Sequence, residues 1–158
     1  MNMIWRKRFT DCCEAIYREM GFSPPEMTHD DLLPLGMELE YAGLQFELVH
    51  FPSELPDRVL VSVPLVNLPE DNLLAGLKNI LKKNLTLVRA HSFVFGLNSE
   101  NTALKCLYYE ELDQCNHLHW LERMTEVAKN SVEIKNNCFD LRKYNLMLGR
   151  NNQIPSLA

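Results

Sequence analysis

Glycine is scarce and scattered. The 158 residues hold six glycines, none close enough to another to build the loop that cradles a phosphate between a strand and a helix. Positive charge is also in deficit. There are 16 Lys and Arg against 21 Asp and Glu, a formal net charge of −5, so the average surface repels nucleic acid and anionic membrane. The one basic cluster, Arg6-Lys7-Arg8, reads as a solvated helix face. Long apolar runs are missing. The longest, around Val59 to Leu68, is broken by Ser62, Pro64 and Asn67, and no membrane insertion is expected. The start, Met1-Asn2-Met3-Ile4-Trp5-Arg6, has no apolar stretch after a basic one, so no secretory leader is expected either. The five cysteines are odd in number, irregularly spaced and without a Cys-x-x-Cys pair. That excludes an ordinary oxidised framework and points to cytosolic thiols acting as small core residues.

What is present is an ordinary globular composition, 46% apolar and 23% charged, in a length that suits one domain with a real core. Trp5, Phe9, Cys12, Cys13, Ile16 and Met20 recur at helical spacing and predict a helix over 3–20, ended by Gly21 and barred from continuing by Pro24 and Pro25. Met37, Leu39 and Tyr41 alternate with Glu38 and Glu40, then Leu44, Phe46 and Leu48 alternate with Gln45 and Glu47. Ala42-Gly43 between them makes a hairpin with one wet face. Arg58 to Leu65 reads as a third strand with Pro64 marking an edge or exit. A helix is predicted over 69–83 with Asn84 as its left-handed cap, from Leu73, Leu74, Leu77, Ile80 and Leu81. Strands at 92–97 and 102–109 and a long helix over 113–135, broken by Asn136-Asn137, complete the order. Phe139, Leu141, Tyr144 and Leu148 suggest a further amphipathic piece. The expected fold is α+β, α-β-β-β-α-β-β-α, a twisted antiparallel sheet packed with helices. It forms a single domain over 1–149, followed by a flexible tail over 150–158.

The chemical signals are weak by comparison. Cys115-x-His117-x-His119 places Cys115 and His119 four apart on a helix face, a workable metal spacing. No partner cysteine pair accompanies it, so it reads as a polar face carrying two histidines, and no metal or cofactor is expected. Cys12 and Cys13 lie two turns into their helix, beyond the dipole's help, and fit the apolar stripe. Glu38, Glu40, Glu47, Glu110 and Glu111 lie on predicted strands or at their ends, where acids ordinarily serve solvation. No Cys-His or Ser-His-Asp grouping has a recognisable local context, so the chain is expected to have no catalytic residues and not to be an enzyme.

Two resemblances follow from particular residues. Phe51-Pro52-x-x-x-Pro56 resembles the Tyr-Pro-x-x-x-Pro loop of RWD and ubiquitin-conjugating-like domains, whose meander requires a further strand before Pro52. That adaptor class is the alternative reading. Leu68-Pro69-Glu70-Asp71-Asn72-Leu73-Leu74-x-x-Leu77-x-x-x-Leu81-x-x-Asn84 resembles the second helix of class I type III secretion chaperones of the CesT/SycE-like kind. Phe93-x-Phe95-Gly96-Leu97, a polar turn, then Leu104-x-x-Leu107, is similar to that family's last hairpin. The Pro-containing loop at 52–56 and the long tail depart from it.

The resemblance implies a homodimer in the bacterial cytoplasm that binds the N-terminal segment of a secreted effector in non-globular form and keeps it soluble and secretion-competent. The secretion-apparatus ATPase is a further candidate partner, and nucleic acid is not. Within that frame, Leu74, Leu77, Leu81, Phe93 and Phe95 are expected at the dimer interface. Phe9, Ile16, Leu39, Leu44, Phe46 and Leu48 are expected to meet the effector segment, which would add a strand at a sheet edge.

Overall fold

The computed structural model describes residues 2–27, 30, 32–68, 73–90, 93–113 and 116–138. The element order is the expected one: α1 (Asn2–Glu19), β1 (Leu35–Tyr41), β2 (Leu44–His50), β3 (Arg58–Asn67), α2 (Leu73–Ala90), β4 (Phe93–Leu97), β5 (Ala103–Glu111) and α3 (His117–Cys138). The amphipathic piece around Phe139 to Leu148 and the tail over 150–158 lie outside the described residues. Among the described residues, two strands precede Pro52, fewer than the RWD-like reading requires.

The five strands form one antiparallel sheet in the order β1-β2-β3-β5-β4. Side chains alternate across it, as strand geometry requires. Met37, Leu39, Phe46, Leu48, Val59, Val61, Val63, Leu104, Cys106 and Tyr108 are buried on one face. α1 closes that face with Phe9, Cys12, Cys13 and Ile16, and α3 with Trp120, Met124, Val127 and Ile134. α2 lies against β4 and the end of α3, where Lys83 Nζ meets Glu133 Oε1 at 2.7 Å.

Several local predictions need correction. First, Pro64 does not end its strand, which runs on to Asn67, although the expected edge holds on the β2 side. The β2–β3 ladder stops at Ser62, so no partner strand asks Pro64 for an N–H there, and the β3–β5 register shifts between Pro64 and Val66 to absorb it. Second, α2 continues to Ala90 past the predicted Asn84 cap: Asn84 keeps a helical backbone, with no positive φ, and its side chain reaches to β4. Third, Arg6 is not solvated. It is buried and donates to the Leu33 carbonyl, while Lys7 pairs with Asp11 at 2.8 Å. Arg8 donates to the Leu112 and Asp113 carbonyls at 3.1 Å each and lies over the Trp5 ring. The basic cluster ties α1 to two loops.

α3 begins where Asn116 caps it, its Oδ1 accepting from the Leu118 N–H at 3.0 Å. The expected break at Asn136-Asn137 is also corrected: the helix runs through both to Cys138. Among the described residues, no helix is long and apolar enough to cross a membrane.

Candidate functional site

A sheet of this kind has two outer strands, and each presents unpaired backbone groups unless something covers them. Here the two edges are treated differently. At β4, Asn84 Oδ1 accepts from the Phe95 N–H at 2.8 Å, and Asn84 Nδ2 donates to the Phe95 carbonyl at 2.8 Å. One amide side chain from α2 thus occupies both outward groups in the middle of a five-residue strand and plugs that edge.

The β1 edge is built otherwise. The β1–β2 connection is a two-residue turn with Ala42 at φ 52° and Gly43 at φ 76°, the left-handed pair that matches strand twist. In such a hairpin the pair flanking the turn, Tyr41 and Leu44, is the hydrogen-bonded kind. By alternation, Glu40, Glu38 and Gly36 aim their N–H and C=O groups away from β2. The Glu38 carbonyl accepts from Tyr17 Oη at 2.9 Å, as that geometry demands. Beside this edge runs a groove of about 700 Å³, lined by Leu39 and Tyr41, by Tyr17, Met20 and Phe22 from the end of α1, and by the polar residues Glu38, Glu40 and Gln45 of the hairpin. Phe22 is largely exposed. Tyr41 is held from within by a 3.1 Å hydrogen bond with Thr125 of α3.

A second apolar surface lies on α2. Leu74, Leu81 and Leu85 are 68%, 65% and 72% exposed. Their spacing of seven and four puts them on one helical stripe, while Ile80 and Leu87 face the core.

The residues expected at these surfaces divide sharply. Of the six expected to meet a bound segment, Phe9, Ile16, Leu39, Phe46 and Leu48 are buried in the core of the single chain, and Leu44 is half-buried. Leu39 alone of these also lines the groove. Of the five expected at a dimer contact, Leu74 and Leu81 are exposed and Leu77 is half-buried, but Phe93 and Phe95 are inside. Strand parity explains the last pair: 93 and 95 point to the core, so Val94 is the β4 side chain on the outer face. Sequence reasoning missed Leu85, Tyr17, Met20 and Phe22. Leu85 extends the stripe of Leu74 and Leu81 and was legible had the helix been carried past Asn84. Phe22 follows the Gly21 turn, where φ is 80°, and periodicity has no signal for such a loop residue.

Polar clusters also occur. Glu110, buried on β5, lies 3.1 Å from Arg123 Nε, and the Arg123 guanidinium covers the Tyr108 ring at 4.9 Å. Burial pushes the Glu110 carboxyl up to about 7, against the opposing pull of Arg123. A cleft of about 390 Å³ between α1 and the start of α3 is lined by Arg8, Asp11, Cys12, Asp113 and His117. Among the described residues, no three His, Cys, Asp or Glu side chains gather closely enough to hold a metal ion. The Cys115–His119 pairing lies outside the described residues through Cys115. Cys12 and Cys13 are buried, and burial drives the Cys106 thiol up to about 12, far from the thiolate needed for nucleophilic work.

No known family model matches the chain, and no curated protein matches it in sequence. Solved structures do. A chain of the ExsC–ExsE complex aligns with a TM-score of 0.60 over 79% of this chain and 89% of that one, at 10% identity. A chain of the HopA1–SchA chaperone–effector complex aligns with a TM-score of 0.61 over 82% of this chain and 94% of that one, at 12% identity. At such identities the likeness is one of fold. The resemblance to type III secretion chaperones read from the sequence therefore holds at the level of the fold.

Proposed function

We propose that this chain is a secretion chaperone. As a homodimer, it holds the N-terminal segment of a secreted effector in extended form, keeps that segment soluble, and passes it to the secretion apparatus. The observation that carries the reading is the asymmetry of the sheet edges. Asn84 occupies both Phe95 groups at the β4 edge, whereas β1, bonded at the Glu38 carbonyl by Tyr17, offers its other outward backbone groups beside a groove of mixed apolar and acidic lining. An extended segment gains main-chain hydrogen bonds at such an edge and seats alternate side chains in the groove. Phe9, Ile16, Phe46 and Leu48 then act from beneath, as the packing that holds β1 and α1 in place, and Leu39 and Leu44 stand nearest the segment. The shared fold with a chain of a chaperone–effector complex supports the same reading.

Self-association falls to α2. Leu74, Leu81 and Leu85, with Leu77 beside them, form a stripe suited to a two-fold contact, in which each patch meets its own copy. Phe93 and Phe95 support the contact by fixing β4 beneath it.

The test is co-purification from the native cytosol followed by protease mapping and amide exchange. The expected result is one protected N-terminal segment on the bound protein and slowed exchange at the Glu38 and Glu40 amides. A partner that is protease-resistant throughout, or one that leaves β1 exchange unchanged, overturns the proposal.

A further inference from the structure

The open edge also carries a charge pattern. Glu38 and Glu40 stand two apart on β1, hence about 7 Å apart on the same face, the one turned away from the helices. Glu38 is directly opposite Glu47 of β2, a like-charge cross-strand pair that costs stability unless something offsets it. Glu47 has its own cation, Lys105 of β5 at 3.5 Å, which reaches it past β3. Arg18, next to Tyr17 on α1, pairs with Glu14 at 2.7 Å. Among the described residues, neither Glu38 nor Glu40 has a cationic partner. Apart from the Glu38 carbonyl, which Tyr17 Oη occupies, the strand edge is thus open in two senses at once, in backbone groups and in countercharge.

This arrangement excludes one occupant and favours another. A second copy adding through its own β1 would bring two more glutamates against these two, so the edge rejects self-pairing, a common use of charge on edge strands. The geometry points to a bound segment in which Lys or Arg alternates with apolar residues. The apolar side chains enter the groove against Tyr17, Met20 and Phe22, and the cations lie over Glu38 and Glu40, which line the same groove from β1. Alternation is forced by the period of a strand, which sends successive side chains to opposite faces. The inference rests on the proposed use of the β1 edge and adds the partner's chemistry to it.

The experiment uses the full chain and three synthetic peptides, each as long as the seven-residue β1. They alternate Val with Lys, Val with Thr, and Val with Glu. Binding is read by fluorescence anisotropy. The Val-Lys peptide is expected to bind at least about tenfold more tightly than the Val-Glu peptide, with Val-Thr between them, since each exposed pair contributes modestly. The preference should shrink from about 0.1 M to about 1 M salt, as the Debye length falls from about 10 Å to about 3 Å. In the doubly substituted chain, Glu38→Lys with Glu40→Lys, the order of the peptides should reverse. Equal binding of the three peptides, or an order unchanged by that double substitution, overturns the charge inference while leaving the edge reading intact. A fourth peptide, Val-Lys with backbone N-methyl groups on its Lys residues, whose N–H groups face the Glu38 and Glu40 backbone in an antiparallel pairing, separates the two. It keeps every charge and removes strand hydrogen bonds, and it is expected to lose binding. If it binds as well as its parent, the edge reading itself fails, and the charge inference fails with it.

Discussion

The helices α1 and α2 are both eighteen residues long, both carry an apolar stripe, and they use it in opposite ways. α1 sinks Phe9, Cys12, Cys13 and Ile16 into the core, whereas α2 buries Ile80 and Leu87 and holds Leu74, Leu81 and Leu85 in solvent. Helical periodicity therefore reports that a face is apolar but not what covers it. The sharpest way to break the comparison is to truncate one residue on each helix. Phe9→Ala is expected to cost about 3–5 kcal/mol in urea unfolding, the cavity cost of a fully buried aromatic. Leu81→Ala, measured in protein dilute enough to be monomeric, is expected to stay within about 0.5 kcal/mol of the parent. The combined substitutions Leu74→Asp, Leu81→Asp and Leu85→Asp should then leave the monomer folded. They should weaken self-association by about a thousandfold or more, since burying each leucine contributes about 1.5–3 kcal/mol. Sedimentation velocity checks this, and an unchanged dimer would move the interface off α2.

The two sheet edges differ as the two helices do, and Asn84 is the residue that makes them differ. Asn84→Ala strips the Phe95 N–H and C=O of their partners. It is expected to cost about 2 kcal/mol, as for buried polar groups left unpaired. The Phe95 amide should also exchange faster, while β1 amides keep their rates. If β1 amides accelerate equally, the edges are not independent and the contrast between them collapses.

Much of this fold was legible because its periods are clean. The alternation of Met37, Leu39 and Tyr41 with Glu38 and Glu40 is that of a half-buried strand, and β1 has that burial pattern. The Phe9–Ile16 stripe belongs to a helix, and α1 buries it. What failed were places where a side chain's partner is remote in sequence. Asn84 has the local signature of a helix stop, but its amide is spent on a strand eleven residues later, and tertiary bonding overrides local preference. Pro64 has the signature of a strand end, but the shortness of the β2–β3 ladder leaves it nothing to break. At the candidate site, the groove beside β1 joins the end of α1 to a hairpin some twenty residues away. No pattern within either segment announces that they share a cavity. The dimer stripe is half legible: Leu74 and Leu81 stand exposed, whereas Phe93 and Phe95, expected at the same contact, lie inside, because a short apolar strand does not declare which parity faces the core.

Titration separates the regions again, with opposite signs. His50 is buried beneath α1, its ring 5.6 Å from that of Phe9 and its Nε2 2.8 Å from the Pro56 carbonyl. Burial lowers its pKa, the Pro56 hydrogen bond opposes this, and the Arg6 charge adds to the lowering. The unfolded chain therefore takes up this proton more readily than the folded one. The stability His50 contributes is full above its ordinary pKa of 6.5 and is lost as pH falls through the folded value. Glu110, on β5 against Arg123 of α3, runs the other way. Its carboxyl, raised from 4.5 to about 7, contributes stability that is full below 4.5 and is lost as pH rises through about 7. Glu110→Gln is expected to flatten the decline in urea midpoint between about pH 5 and about pH 8, a change on the order of 1–3 kcal/mol across that window. His50→Gln should instead flatten the fall on the acid side. A profile that keeps its slope in both variants would assign the pH dependence to other groups.

A small expected gain lies at the β1–β2 turn and stabilises one side of the comparison alone. Ala42 holds φ 52° beside Gly43 at φ 76°. A left-handed conformation at alanine carries a steric cost of about 1 kcal/mol that asparagine bears more easily. Asn-Gly is the preferred dipeptide for this turn. No neighbouring strand crosses the loop, so Ala42→Asn meets no packing penalty to offset the relief, and Ala42 itself is exposed. The substitution should therefore raise unfolding stability by about 0.5–1 kcal/mol, while Ala42→Val, whose branched side chain suits that φ least, should lower it. Because the turn belongs to the open edge and not to α2, Ala42→Asn should leave self-association unchanged and slow exchange at the Tyr41 and Leu44 amides, the pair that closes the hairpin. An altered dimer constant in this variant would mean that the two apolar surfaces communicate, and the separation between edge and helix face would have to be given up.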